Sequence, residues 1–207
     1  MNIVNVGYDS INLYVVELNR KRLLIDVGWP GTLPKLSASL RRKGLALEAI
    51  DYFCVTHYHP DHAGLVQELK DKEVKHVVLE EQLSAVPRLK TYMKPDSGYV
   101  DMRIQDSIHL AAAESRAWLA RIGLQGEIVS TPGHSADSIS VVLDEGIAFT
   151  GDLLSPFMVS PGEVGSAEES WNKLRRLNVR TIYPGHGPVR PMDSGSRVSG
   201  AQTLGCI

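Results

Sequence analysis

Seven consecutive residues, Thr56-His57-Tyr58-His59-Pro60-Asp61-His62, place three of the chain's seven histidines and one carboxylate within six positions. In a segment that leaves a strand, His57 and His59 face the same way because alternate residues share a face. Asp61 and His62 follow the turn that Pro60 imposes. One loop therefore offers two ligand pairs, which can serve two adjacent metal ions. A closed structural zinc site would instead favour cysteines that fill the coordination shell. The two cysteines of the chain lie elsewhere, Cys54 in an apolar run and Cys206 beside the C-terminus.

Three later motifs can complete the shell: His134 in STPGHSADS, Asp152 in FTGDLL and His186 in YPGHGPV. Each follows an expected strand and stands beside glycine, which permits the tight turns that bring a ligand in from a strand end. The assembled set is five imidazoles and two carboxylates, ligands suited to zinc, with iron or manganese as the alternatives. His76 and His109 lie outside these motifs and read as structural or surface histidines.

The elements that must position this set follow from periodicity. Short Val-, Ile- and Leu-rich runs at 3–6, 13–18 and 22–27 read as a meander of strands. Leu33, Leu36 and Leu40 recur at helical spacing within 32–43, and Gly44 ends that pattern. A buried strand at 50–56 runs straight into the histidine cluster, where side chains at a sheet's end are free to converge on a ligand. Helices are expected at 63–70, 114–122 and 167–177, the last capped by Ser166. Further strands are expected at 76–79, 127–130, 138–143, 146–149 and 181–183. The stretch 87–106 mixes aromatic, basic and acidic residues with Pro95 and Gly98 and reads as an irregular loop or lid. The expected organisation is one domain over 1–190 and a tail over 191–207 that is poor in core residues.

Composition bounds the partners. In 207 residues, 43% hydrophobic and 22% charged residues match an ordinary globular chain. A net charge of −2 with interspersed signs lacks the clustered basic surface that phosphate backbones require. Arg41-Arg42-Lys43 and Arg175-Arg176 read as solvated helix faces. With no leader pattern, no spanning apolar run and no disulfide framework, the expectation is a cytoplasmic protein that binds neither nucleic acid nor membrane and takes a small-molecule substrate. Its small size points to a homodimer.

THYHPDH, TPGHS, TGD and YPGHG, in this order, resemble the metallo-β-lactamase fold superfamily of hydrolases, and the resemblance runs from LLIDVG at 23–28 to YPGHG. It implies a mixed α/β fold, a four-layer αββα sandwich with a dinuclear site at the edge where its sheets meet. Carried over by residue, it gives His57, His59 and His134 to one zinc ion and Asp61, His62 and His186 to the other, with Asp152 bridging. Asp26 would orient the ligands from behind.

The chemistry implied is hydrolysis by a hydroxide shared between the two ions, with Asp61 accepting a proton as the intermediate collapses. Branches that destroy β-lactams differ at the second site, flavodiiron proteins carry glutamate where His59 stands, and glyoxalase II adds a helical domain without counterpart here. What remains is a small ester, thioester or lactone, with a phosphodiester as the nearest alternative. Tyr92, Met93 and Tyr99 of the amphipathic stretch TYMKPDSGYV either line an apolar substrate pocket or anchor the loop. Two other classes stay open: a mononuclear iron dioxygenase resembling persulfide dioxygenases, and a non-catalytic metal-binding domain.

Overall fold

The computed structural model describes residues 1–18, 21–154 and 164–192, without the side chains of 164 and 165. The opening meander is β1 (Asn2–Asn5), β2 (Tyr14–Glu17) and β3 (Arg22–Ile25). After α1 (Leu33–Arg42), the chain adds β4 (Tyr52–Cys54), two short helices, α2 (Pro60–Ala63) and α3 (Val66–Lys70), and then β5 (Lys75–Leu79). The short α4 (Val86–Leu89) and an irregular stretch lead to β6 (Ile108–Leu110) and α5 (Ser115–Ile122). The second half holds β7 (Gly126–Ser130), β8 (Ile139–Leu143), β9 (Ile147–Gly151), α6 (Val164–Arg176), β10 (Thr181–Pro184) and β11 (Arg190–Pro191).

The strands form two sheets. One has six strands in the order β1-β2-β3-β4-β5-β6, and the other has five in the order β11-β10-β9-β8-β7. β1 to β3 run antiparallel, and β3 to β6 are mutually parallel because helices or long connections carry the chain back between them. Alternation along the strands sets the layers. Tyr14, Val16, Leu23, Ile25, Val77 and Leu79 face Val141, Leu143 and Phe149 of the second sheet in one apolar cluster. Val15, Leu24, Phe53 and Val78 point the other way, onto Leu36 and Leu40 of α1 and Leu69 of α3. Val142, Ala148 and Ile182 do the same on the far side, under Trp171 and Leu174 of α6. Helix, sheet, sheet and helix thus stack in four layers.

Differences from the sequence reading are local. The helix expected over 63–70 is two pieces, with Ala63 ending α2 and Val66 opening α3, so His62 sits on a helix rather than before one. Ser166 is not a cap: α6 begins at Val164. The irregular stretch at 87–106 begins on α4 and carries single 3-10 turns at Lys90–Tyr92 and Ile104–Asp106. β6 and β11 were too short, at three and two residues, to show a period. Residues 193–207, most of the expected tail, lie outside the described residues.

The sheets are locked together by aromatic contact. The Tyr14 ring meets Phe149 and Tyr183 at 5.3 Å, and those two meet at 5.1 Å. Phe149→Ala should therefore cost roughly 3–5 kcal/mol of stability, which thermal or urea unfolding would register as a Tm lowered by roughly 10 °C. A Tm within a degree or two of the original would show that the sheets do not depend on this ring.

Candidate metal centre

The side chains of the set come from strand ends and, for Asp61 and His62, from the short α2 that follows β4. His57 leaves β4 through Val55 and Thr56. His59 stands in extended backbone (φ −94°, ψ 157°) ahead of Pro60, the first residue of α2, and its carbonyl accepts the amides of His62 and Ala63 at 3.1 and 2.9 Å. Proline opens a helix well because its missing N–H would be unpaired there anyway. His134 lies between β7 and β8, Asp152 directly follows β9, and His186 follows β10. Gly185 shows why glycine flanks these ligands. A Cβ on it would stand 2.5 Å from Asp152 Oδ1 and 2.6 Å from His62 Cε1.

The donor atoms converge as two groups, His57 with His59 and His134, and Asp61 with His62, Asp152 and His186, each within 4.8 Å. Asp152 faces both. Its Oδ1 lies 3.3 Å from His62 Nε2, while its Oδ2 lies 3.5 Å from His186 Nε2 and 3.7 Å from His134 Nε2. His59 Nδ1 and His134 Nε2 face each other at 3.0 Å, and Asp61 Oδ2 is 3.1 Å from His186 Nε2.

Behind the donors, hydrogen bonds fix which nitrogen points inward. Asp26 is buried at the end of β3 with φ +61°. Its carboxylate accepts the Thr56 amide at 2.7 Å, the Thr56 hydroxyl at 3.0 Å and His62 Nδ1–H at 2.9 Å. Having donated to Asp26, the Thr56 hydroxyl is left to accept His57 Nδ1–H at 3.2 Å. His186 Nδ1 donates to the Ser10 carbonyl at 2.7 Å. The second nitrogen of each ring is thereby left as a lone pair aimed into the centre.

The electrostatics agree for His57 and His134, whereas His62 without a cation holds a proton on both nitrogens, of which a bound metal would displace the one on Nε2. His57 is pushed well below the ordinary imidazole range, first by burial and then by the neighbouring imidazoles. Burial also holds His134 down. For His62, burial works downward but is outweighed by Asp26 and Asp152, which raise it to about 10. Asp152 is lowered, burial opposing and the contact with His62 prevailing. His57 Nε2, His62 Nε2 and Asp152 Oδ1 are buried without a hydrogen-bond partner. Unpaired buried polar atoms of this kind are costly. One or more cations at the shared focus would satisfy all three, so the donor set fits metal.

Several supporting residues carried no signal in the sequence. Gln82, fully buried, donates to the Val55 carbonyl at 3.1 Å and the Asp137 carbonyl at 3.2 Å, and Asp137 accepts the Tyr58 amide at 2.8 Å. These bonds tie the His57 loop to the His134 loop. On the other flank the Asn12 amide group donates to the carbonyls of Pro184 at 3.0 Å and Gly187 at 2.7 Å, and the Asn12 backbone amide donates to the Gly185 carbonyl at 2.7 Å. Asn5 sets the orientation of that side chain by donating to Asn12 Oδ1 at 2.8 Å. Partners 172 to 175 residues apart leave no local pattern to read.

The other residues considered from sequence separate. Tyr92 stands edge-on to His59, ring centres 5.5 Å apart, in a cleft of about 240 Å³ that also touches His134. Met93 and Tyr99 instead pack on the outer helix layer and line a separate, wider depression of about 500 Å³, without a metal-capable residue of either group in its wall. His76 is buried against Phe53, with Nδ1 2.9 Å from Ser107 Oγ, and exposed His109 meets the Ile104 carbonyl.

Residues 6–186 match the metallo-beta-lactamase superfamily. The chain belongs to that superfamily and is an enzyme of its kind. A probable metallo-hydrolase of Methanocaldococcus jannaschii is 30% identical over 202 residues, covering 88% of this chain and 90% of its own length. The beta-lactamase-like protein 2 homolog of Caenorhabditis elegans is 29% identical over 86% of this chain, which spans only 56% of that protein. This chain likewise spans about half of the lactamase-like protein nscB of Trichophyton equinum, 48% of its length, at 32% identity. Among solved structures, a metallo-beta-lactamase family protein of Thermus thermophilus superposes with a TM-score of 0.68 at 22% identity, covering 90% of this chain and 72% of that one. At that identity the likeness concerns the fold, the αββα sandwich.

The Asn12 clamp predicts a selective defect. Asn12→Ala should weaken metal binding at the Asp61–His62–His186 group by about 10- to 100-fold while sparing the His57–His59–His134 group. Metal content titrated against a competing chelator checks this: metal should leave the Asp61–His62–His186 group first. Parallel loss from both donor groups would mean the clamp serves the fold as a whole.

Proposed function

We propose that this chain is a dinuclear metal-dependent hydrolase that cleaves a small ester, thioester or lactone, with zinc as the metal. The observation that carries the reading is Asp152, whose Oδ2 stands between His134 of one donor group and His186 of the other while its Oδ1 faces His62. A closed structural site would not need a shared carboxylate. His57, His59 and His134 would hold one ion and Asp61, His62 and His186 the other. Bound there, two divalent cations supply hydroxide near neutral pH and polarise the scissile carbonyl.

The chain's own groups do the rest. His57 and His62 are kept in one tautomer by the Asp26 and Thr56 hydrogen bonds, so neither ring reorients while charge develops. The Asp61 carboxylate, 16% exposed, is the base that accepts a proton as the tetrahedral species collapses. Tyr92 covers His59 and limits access of water on that side. A small molecule is the fitting substrate for a cleft of about 240 Å³, below the ~300–1,000 Å³ of pockets that enclose drug-sized ligands.

Elemental analysis of protein purified without added metal, paired with turnover of esters, thioesters, lactones and phosphodiesters, tests the reading. About two zinc ions per chain and chelator-sensitive hydrolysis of a carbonyl substrate are expected. One iron ion with sulfur-dependent oxygen uptake would replace it by oxygen chemistry, and a phosphodiester as best substrate would move it to phosphoryl transfer. Asp61→Asn should lower turnover by about 10²- to 10⁴-fold with a much smaller loss of metal. Equal losses would make Asp61 a ligand only.

A further inference from the structure

The cleft beside His59 and His134 has one cationic side chain in its wall that the metal chemistry does not use. Arg88, on α4, lines it together with Tyr92, Ser135 and Asp137. Its guanidinium is exposed and has no ion pair or side-chain hydrogen bond among the described residues; its hydrogen bonds are made by the backbone, the amide donating to the Ala85 carbonyl and the carbonyl accepting the Thr91 hydroxyl. Of the other cations of the segment, Lys90 pairs with Asp101 at 2.5 Å and Arg103 with Asp71 at 2.9 Å, while Lys94 lines the separate depression beside Met93 and Tyr99. Asp137 is committed as well, since its carboxylate accepts the Tyr58 amide. A free, planar, permanently charged fork therefore stands on the wall of a small cleft whose other wall carries two donor histidines.

We infer that Arg88 is a substrate-binding residue, and that the acyl group of the substrate ends in a carboxylate which Arg88 holds while the scissile carbonyl lies over His59 and His134. The reacting end of this assignment rests on the hydrolase reading; the carboxylate subsite does not. A guanidinium matches a carboxylate through two parallel N–H donors. A single arginine suits one planar anion better than a phosphate, for which this cleft offers no second cation. The cleft's small volume restricts the acyl chain to a short one, and the Tyr92 ring gives its methylenes an apolar face. No new covalent step is required. Arg88 acts by binding and orientation, and it lies outside the metal donors.

Two measurements on the metal-loaded, full-length protein separate the possibilities. The first compares 4-nitrophenyl pentanoate with mono(4-nitrophenyl) glutarate, which share acyl length and leaving group and differ in the terminal carboxylate. The original protein should prefer the glutarate ester. Arg88→Ala should lower kcat/KM for that ester by about tenfold or more, chiefly through KM, and leave the pentanoate ester within about twofold. Arg88→Lys, which keeps the charge and loses the fork, should fall between. The second measures binding of glutaramate and of pentanamide by calorimetry on the same proteins, where no turnover is needed. Glutaramate should bind Arg88→Ala about tenfold more weakly than the original, with pentanamide unaffected. If that difference is found while neither ester is hydrolysed, the carboxylate subsite holds and the hydrolase reading fails. If both esters are hydrolysed but Arg88→Ala treats the two esters and the two amides as the original does, the subsite is overturned and the hydrolase reading stands. Unchanged zinc content and Tm in Arg88→Ala confirm that the exposed substitution has left the fold intact.

Discussion

The site depends on one buried carboxylate. Asp26 leaves β3 in a left-handed conformation that side chains other than Asn and Asp seldom adopt. From there it takes hydrogen bonds from Thr56, in the loop that follows the neighbouring strand, and from His62, on the helix that follows that loop. An isolated buried charge would cost several kcal/mol. This one is compensated from both sides, by amide and hydroxyl dipoles below and by an imidazole above. The compensation also works in reverse: with Asp26 ionised, His62 must present Nδ1–H to it, and through the Thr56 hydroxyl His57 must do likewise. One charge thus determines the tautomer of two rings, one in each donor group.

Neither sheet can build the centre alone. His57, His59, Asp61 and His62 descend from the first sheet, whereas His134, Asp152 and His186 come from strand ends of the second. Their mutual distances are therefore set by how the sheets pack. Tyr14, Phe149 and Tyr183 fix that packing from within. At the rim, Gln82 and Asp137 tie the first-sheet loop to the His134 loop on one flank, and Asn12 ties the β1–β2 connection to the His186 loop on the other. Rigid elements carrying short, multiply bonded loops are what hold donors to the fractions of an ångström that a metal centre requires.

What the sequence made legible follows the same division. The ligand motifs were readable because metal-capable residues stood at strand ends beside glycines, and Gly185 is required there because any Cβ would collide with Asp152 and His62. Runs rich in Val, Ile and Leu, such as VVE, LLI and VVL, marked the strands, but being apolar on both faces they did not show which face meets which layer. The break between α2 and α3 was not readable, since Gly64 and Leu65 interrupt a pattern that stays apolar at helical spacing across the gap. The clamps by Asn12 and Gln82, and the position of Arg88, join residues whose proximity is created only by the fold. The amphipathic stretch at 91–100 shows the limit of pattern alone. Of its three candidates, Tyr92 meets the site, whereas the apolar character of Met93 and Tyr99 is spent on packing against the outer helix layer.

The two donor groups also differ in a way that follows from where they sit. His57 is fully buried and His134 is 26% exposed, while His186 is 40% exposed and reaches the centre from the rim. Under the proposed ligand assignment, a cation on the His57–His59–His134 group would be held by three imidazoles besides the shared Asp152, with fully buried His57 in surroundings whose low dielectric would strengthen the contact. The other ion has an additional carboxylate, Asp61, but its outermost ligand relies on bonds to Ser10 and on the Asn12 clamp. More charge compensates for less enclosure. A cation on the rim group, held by charge near solvent, would be the readier to exchange, whereas one on the buried group would be held by a ring that Thr56 and Asp26 keep oriented.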